Sequence, residues 1–129
     1  MIRSLRLFLL ILCALFLVGC GQSGKDPAVQ VVESYIQATI GKDATRVAGL
    51  SCKDWEQQAV MDVDSYQTYA ATLEGLSCQV KGTEGKFTLV GCQGKIVISY
   101  GNEKQEQDLS LRTYTVGQEN NEWRVCGYR

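Results

Sequence analysis

The groups available for chemistry in this 129-residue chain are few: 14 Asp+Glu, 13 Lys+Arg, six Cys, six Tyr, two Trp and no His. Lack of histidine removes the commonest general base, the usual nucleophile–His triads and the commonest metal ligand. Asp62 and Asp64 lie in a segment read as helical. Buried, one of them would have its pKa raised into the range of a general base. Acids between helices more commonly cap and face solvent, and that is the reading preferred for both. Trp55, Tyr66, Tyr69, Tyr100, Tyr114 and Trp123 are candidates for lining a pocket, because aromatic rings join apolar area to a polar handle. Ordinary core and half-buried sheet positions are the plainer account of the same six. Arg112 stands among apolar strand residues; turned inward it would reach an anionic ligand, but it is expected to point off the opposite sheet face. Asn102–Asp108, NEKQEQD, reads as a solvated, charged hairpin loop. Gly82-Thr83-Glu84-Gly85 lacks the Lys-Ser/Thr and the helix of a phosphate loop.

Cys52, Cys78, Cys92 and Cys126 are widely spaced and form no CxxC pair. Without histidine, that spacing argues against a zinc site or a redox motif, so no metal and no cofactor are expected. An even number in an oxidising compartment reads as two structural disulfides. Four free thiols, in an organism without oxidative folding machinery, are the alternative. Three pairings are open. The strand assignment below leans to Cys78–Cys92 and Cys52–Cys126, the second tying a helical layer to the sheet.

The remaining two cysteines belong to the N-terminus. Met1–Arg6 carries two arginines and no acid, and Leu7–Val18 is an unbroken apolar run containing Cys13. A basic start and about a dozen apolar residues describe a secretory signal peptide; a membrane span needs roughly 20. The run exits through Leu17-Val18-Gly19-Cys20, which resembles the lipobox of bacterial lipoproteins. The resemblance implies that the Cys20 thiol takes a diacylglycerol, that the chain is cut before it and that the freed amine is acylated. Two or three acyl chains anchor stably where one is marginal. A plain signal peptide with an incidental Cys20 is the bland alternative. Gly21 replaces the Asp that favours inner-membrane retention in enterobacteria, which leaves the outer membrane open if the source has one. The expected organisation is a cleaved signal peptide (1–19), a lipidated flexible tether (20–26) and one domain (27–129). Cleavage leaves 110 residues and moves the net charge from −1 to −3. No field attracts nucleic acid at that charge.

Helices come first in the domain. Asp26-Pro27 is a helix start, followed by Val29, Val32, Ile36 and Ile40 at helical spacing, with Val31 and Tyr35 flanking the stripe and Gly41 as the stop. Asp43 caps a short second helix bearing Val47 and Leu50. Asp54 is a candidate cap for a third segment with Trp55, Ala59 and Val63. A further turn or two is expected to carry Tyr66, Tyr69, Ala70 and Leu73, leaving one helix or two over 54–73. From Leu76 the period is two. Leu76, Cys78 and Val80 alternate, and a turn follows over 82–85. Thr88, Val90, Cys92, Ile96, Ile98 and Tyr100 then share a parity, with a bend or bulge signalled by Gly91 and Gly94. Leu109 and Leu111 alternate before Tyr114 and Val116 switch parity, so a bulge is expected near Arg112 or Thr113. Trp123 and Val125 share a face of the last strand.

Helices followed by an antiparallel meander make an α+β arrangement. A capped first helix, a short second helix after Gly-Lys-Asp, a long bent strand and a closing Trp-Arg-Val strand resemble the NTF2-like (cystatin-like) superfamily. The resemblance implies an NTF2-like cone, with N-terminal helices packed on a curved sheet of about four to five strands around an apolar cavity. Enzymes of that superfamily place Asp, His or Tyr in the cavity, and this chain has no His. The expected function is therefore a membrane-anchored extracytoplasmic lipoprotein, a non-catalytic module for a small apolar ligand or an envelope protein. A small isomerase or dehydratase using Asp and Tyr in the cavity is the second reading, and an inhibitor of an external hydrolase the third.

Overall fold

The computed structural model describes residues 24–129. The signal segment and the lipidation assignment at Cys20 lie outside the described residues. Three helices lead: α1 (Pro27–Ile40), α2 (Ala44–Gly49) and α3 (Glu56–Ser65). Five strands follow: β1 (Ala70–Glu84), β2 (Phe87–Tyr100), β3 (Glu103–Asp108), β4 (Thr113–Glu119) and β5 (Glu122–Tyr128). They form one antiparallel sheet in the order β1-β2-β4-β5, with β3 also paired to β2. The fold is α+β.

α1 starts where the residue chemistry dictates. The Asp26 carboxylate accepts from the Ala28 N–H at 2.8 Å, and Pro27, which lacks an N–H, sits at the first helical position. Val29, Val32, Ile36 and Ile40 are buried, and so are Val31, Tyr35 and Ala38. A helix buried round most of its circumference must be a core element, and α1 packs against β1, β2, β4 and β5. Even Glu33 is buried; it accepts from the Cys78 N–H of β1 at 3.1 Å and forms an ion pair with Lys25. Asp43 caps α2 by accepting from the Arg46 N–H at 3.0 Å.

The region after α2 departs from expectation. Asp54 caps nothing: a turn closes from the Cys52 carbonyl to the Trp55 N–H, and α3 begins at Glu56 with no side-chain cap. α3 ends at Ser65 and there is one helix in 54–73, because Ala70, Ala71 and Leu73 are already strand residues paired to Ser99, Ile98 and Ile96. Tertiary pairing with the β-branched half of β2 overrides the strong helical preference of alanine and leucine.

Bulges set the shape of the sheet. The β1–β2 register shifts between Glu74 and Ser77, so Gly75 and Leu76 stand opposite Gly94 alone. Gly94 has φ +105°, and a Cβ on it would meet the carbonyl oxygens of Glu74 and Gly75 at 2.6 Å, so only glycine fits. The expected bulge near Arg112 is instead a 3-10 turn over Leu109–Leu111, capped by the Asp108 carboxylate accepting from the Ser110 N–H at 2.8 Å. NEKQEQD is not a loop: Glu103–Asp108 is β3, laid along the C-terminal half of β2. Beyond the turn, β4 continues along the N-terminal half of β2.

The sulfurs pair as Cys78–Cys92 and Cys52–Cys126. The first links directly opposed residues of β1 and β2, with Cα atoms 4.0 Å apart. The second joins β5 to the segment before α3. Backbone hydrogen bonds of 2.8 Å, from Cys52 N–H to the Val125 carbonyl and from Val125 N–H to the Leu50 carbonyl, reinforce it.

Candidate functional site

A cavity of about 50 Å³ lies where α1 and α3 meet the sheet. α1 contributes Tyr35, Ile36, Thr39 and Ile40; α3 and the residue closing it contribute Asp62, Ser65 and Tyr66. The sheet contributes Ile96, Tyr114 and Tyr128, and Arg112 enters from the end of the 3-10 turn. Three isoleucines thus face a set of hydroxyls, one carboxylate and one guanidinium.

Each polar group is there for a local reason. Ala59, Asp62 and Tyr66 fall at helical spacing along one side of α3, so Asp62 shares a side with a buried alanine and a buried tyrosine. Its Oδ2 accepts from the Tyr128 hydroxyl at 2.9 Å and its Oδ1 from Gln58 Nε2 at 3.0 Å. Asp64 is exposed, as a solvated acid should be. Arg112 does not point off the far face of the sheet. The turn before it breaks the strand alternation and leaves Leu109 buried, Leu111 79% exposed and Arg112 half-buried. Its guanidinium stacks on the Tyr128 ring, 4.4 Å from the centroid. Among the described residues it makes no salt bridge.

Tyr128 owes its inward position to another bulge. Thr115 pairs with Gly127 and Val116 with Val125, which leaves Cys126 unpaired and shifts the parity by one. Val125 and Tyr128 therefore both face the helices, opposite Val116 and Tyr114. Tyr35 and Tyr114, each 2% exposed, meet edge to face with centroids 6.2 Å apart. Trp55 stands behind this wall: its Nε1–H donates to the Tyr35 hydroxyl at 3.2 Å and its ring meets Tyr128 edge-on. The Tyr66 hydroxyl donates to Gln107 Oε1 of β3 at 2.9 Å.

The electrostatics follow from burial. Burial pushes the Tyr128 phenol up to about 12, and its hydrogen bond to Asp62 adds to the effect. Tyr35, Tyr66 and Tyr114 are raised for the same first reason; the charge of Arg112 opposes the rise at Tyr66 and Tyr114. Burial works against the Arg112 cation, but the surrounding tyrosines outweigh it, and the group is held above its ordinary value. At neutral pH the wall therefore holds four neutral phenols and one fixed cation.

Of the six aromatic candidates, Tyr66 and Tyr114 line the cavity and Trp55 backs it. Tyr69 and Tyr100 stack on each other at the surface, centroids 4.4 Å apart and 37% and 38% exposed. Trp123 is half-buried and packs against the core away from the cavity. Asp62 and Arg112, expected to face solvent and the opposite sheet face, line the cavity instead, and Tyr35 and Tyr128, which were not among the pocket candidates, join them. For Asp62 the signal was the Ala59–Asp62–Tyr66 spacing. For Tyr128 it was a glycine, Gly127, inside a strand beside a cysteine that must reach Cys52.

Among the described residues no cluster of Cys, Asp or Glu is placed to hold a metal ion, and no helix is long and apolar enough to cross a membrane.

No protein-family model matches the chain, and no curated protein matches it. Among solved structures it is similar to the solution structure of a SEC-C motif containing protein from Rhodopseudomonas palustris. The TM-score is 0.51 at 11% identity, over 81% of this chain and 80% of that one. At that identity the likeness concerns the fold alone.

Proposed function

We propose that this chain is a lipid-anchored extracytoplasmic domain of the NTF2-like kind, whose cavity holds a small ligand without transforming it. The observation that carries the binding half is the wall just described. A guanidinium with no salt bridge among the described residues and a set of phenols surround a space of about 50 Å³ between helices and sheet. The Tyr35, Tyr66 and Tyr128 hydroxyls each have a hydrogen-bond partner, which leaves the Arg112 fork lining the space as its open donor. The space is large enough for a few waters or a few heavy atoms, and its polar wall moves the expected ligand from a small apolar one to a compact polar one. The anchor half rests on Leu17-Val18-Gly19-Cys20, and the cone on helices preceding a bulged antiparallel sheet, with α1 against four of its strands.

One observation favours a second reading. Asp62 and Tyr128 share a hydrogen bond on the cavity wall, the pairing that a small isomerase or dehydratase would use for proton transfer. Both Asp62 oxygens already accept hydrogen bonds, which favours a positioning carboxylate over a working base. Two measurements test the proposal. Cys20→Ser should move the protein from the membrane to the soluble fraction. The small-molecule fraction of the producing cells should raise the Tm of the wild type by roughly 10–15 °C when a ligand reaches 100 times its Kd, and leave Arg112→Met unmoved. A Cys20→Ser protein still in the membrane, or equal shifts in both proteins, would refute the corresponding half. Turnover of a compound abolished by Asp62→Asn would install the second reading instead.

A further inference from the structure

Resting on the reading of the cavity as a ligand site, we infer that it takes a short aliphatic monocarboxylate. Hydrogen-bond supply in the wall points to an anionic acceptor. The Tyr35 oxygen already accepts from the Trp55 indole N–H, a group that can only donate. The Arg112 guanidinium, also donor-only, lines the same cavity as Tyr114, and its charge opposes the rise of that phenol. The Tyr35 proton must then find an acceptor elsewhere, and Arg112 adds N–H groups with no carboxylate paired to them. The wall therefore has a surplus of donors around one positive charge. A carboxylate is the planar acceptor that a guanidinium fork grips in two places.

The rest of the wall limits what the carboxylate is attached to. Ile36, Ile40 and Ile96 line the same cavity and suit a short alkyl chain, and the volume of about 50 Å³ admits only a few carbons. Asp62 is on that wall too, its charge tied to Tyr128 and Gln58. It opposes a second negative charge, so monocarboxylates are selected over dicarboxylates and phosphate.

Carbon-13-labelled propionate, titrated by NMR into the full-length protein in detergent, tests this. Saturable binding is expected, weakened at least tenfold in Arg112→Gln and about three- to tenfold in Tyr114→Phe, with Tyr69→Phe unchanged. Inorganic phosphate and succinate should compete at least tenfold more weakly than propionate. Should Arg112→Gln not fold, Tyr114→Phe decides. The inference is overturned by no saturable binding, by equal binding in the variants, or by phosphate competing equally. If propionate fails while the cellular small-molecule fraction still raises the Tm through Arg112, the carboxylate assignment falls and the binding reading stands. If neither acts, both fall.

Discussion

Tyr128 shows how one side chain serves fold and site together. Its ring carries the Arg112 cation at 4.4 Å, its edge meets Trp55 and Tyr114, and its hydroxyl donates to Asp62. Tyr128→Phe should cost about 1.5–3 kcal/mol at neutral pH, the range of a hydrogen bond to a charged group. The cost should depend on pH in one direction. A phenol held at about 12 in the folded protein, against about 10 when unfolded, contributes fully below pH 10 and loses that contribution as pH rises toward 12. Urea denaturation of both proteins at pH 8 and at pH 11 should therefore show the gap between them narrowing; a constant gap would place the Tyr128 hydroxyl in solvent. Arg112 is the converse case, a cation whose value lies in what it faces.

At the scale of elements, the bulges decide which residues face the helices. The turn over Leu109–Leu111 brings Arg112 round, the unpaired Cys126 brings Tyr128 in, and Gly94 lets two residues of β1 pass one of β2. Gly94→Ala forces a Cβ against two backbone carbonyls at a positive φ, and should cost about 2–4 kcal/mol by denaturant titration. Gly82→Ala, where a Cβ meets nothing within 4 Å, is the matched control. The disulfides differ in reach. Cys52–Cys126 spans 74 positions and Cys78–Cys92 spans 14. In the chain-entropy model they contribute about 4 and about 3 kcal/mol, so C52A/C126A should lose roughly 1 kcal/mol more than C78A/C92A. The reverse order would mean that the helix–sheet tie holds through its backbone hydrogen bonds alone.

These same elements explain what was legible beforehand. α1, its Asp26-Pro27 start and its apolar stripe follow from local chemistry. The disulfide pairing was legible as far as Cys78 and Cys92 lying on neighbouring strands; their direct opposition was not, because the turn expected over 82–85 is a tighter one at Gly85-Lys86 and β1 carries an extra residue, Lys81. The start of β1 at Ala70 did not follow, because Ala70 to Leu73 takes its conformation from β2 and not from its own propensity. Nor did the inward turn of Arg112 and Tyr128. Strict alternation places both outside, and the local interruptions that reverse them depend on pairing partners far along the chain.

For the whole molecule, the helices and sheet close round a small polar space, and Lys25, two residues before α1, is held to Glu33 of that helix. With acylation at Cys20, only a few residues would separate bilayer from domain, and the cavity would work close to the membrane. The central claim, an anchored module that holds a ligand, is tested most directly by native mass spectrometry of the protein extracted intact from membranes. The account predicts a chain beginning at acylated Cys20 that carries a non-covalent small molecule, lost in Arg112→Met. A bare wild-type chain with no bound molecule, or one retained equally by Arg112→Met, would contradict it.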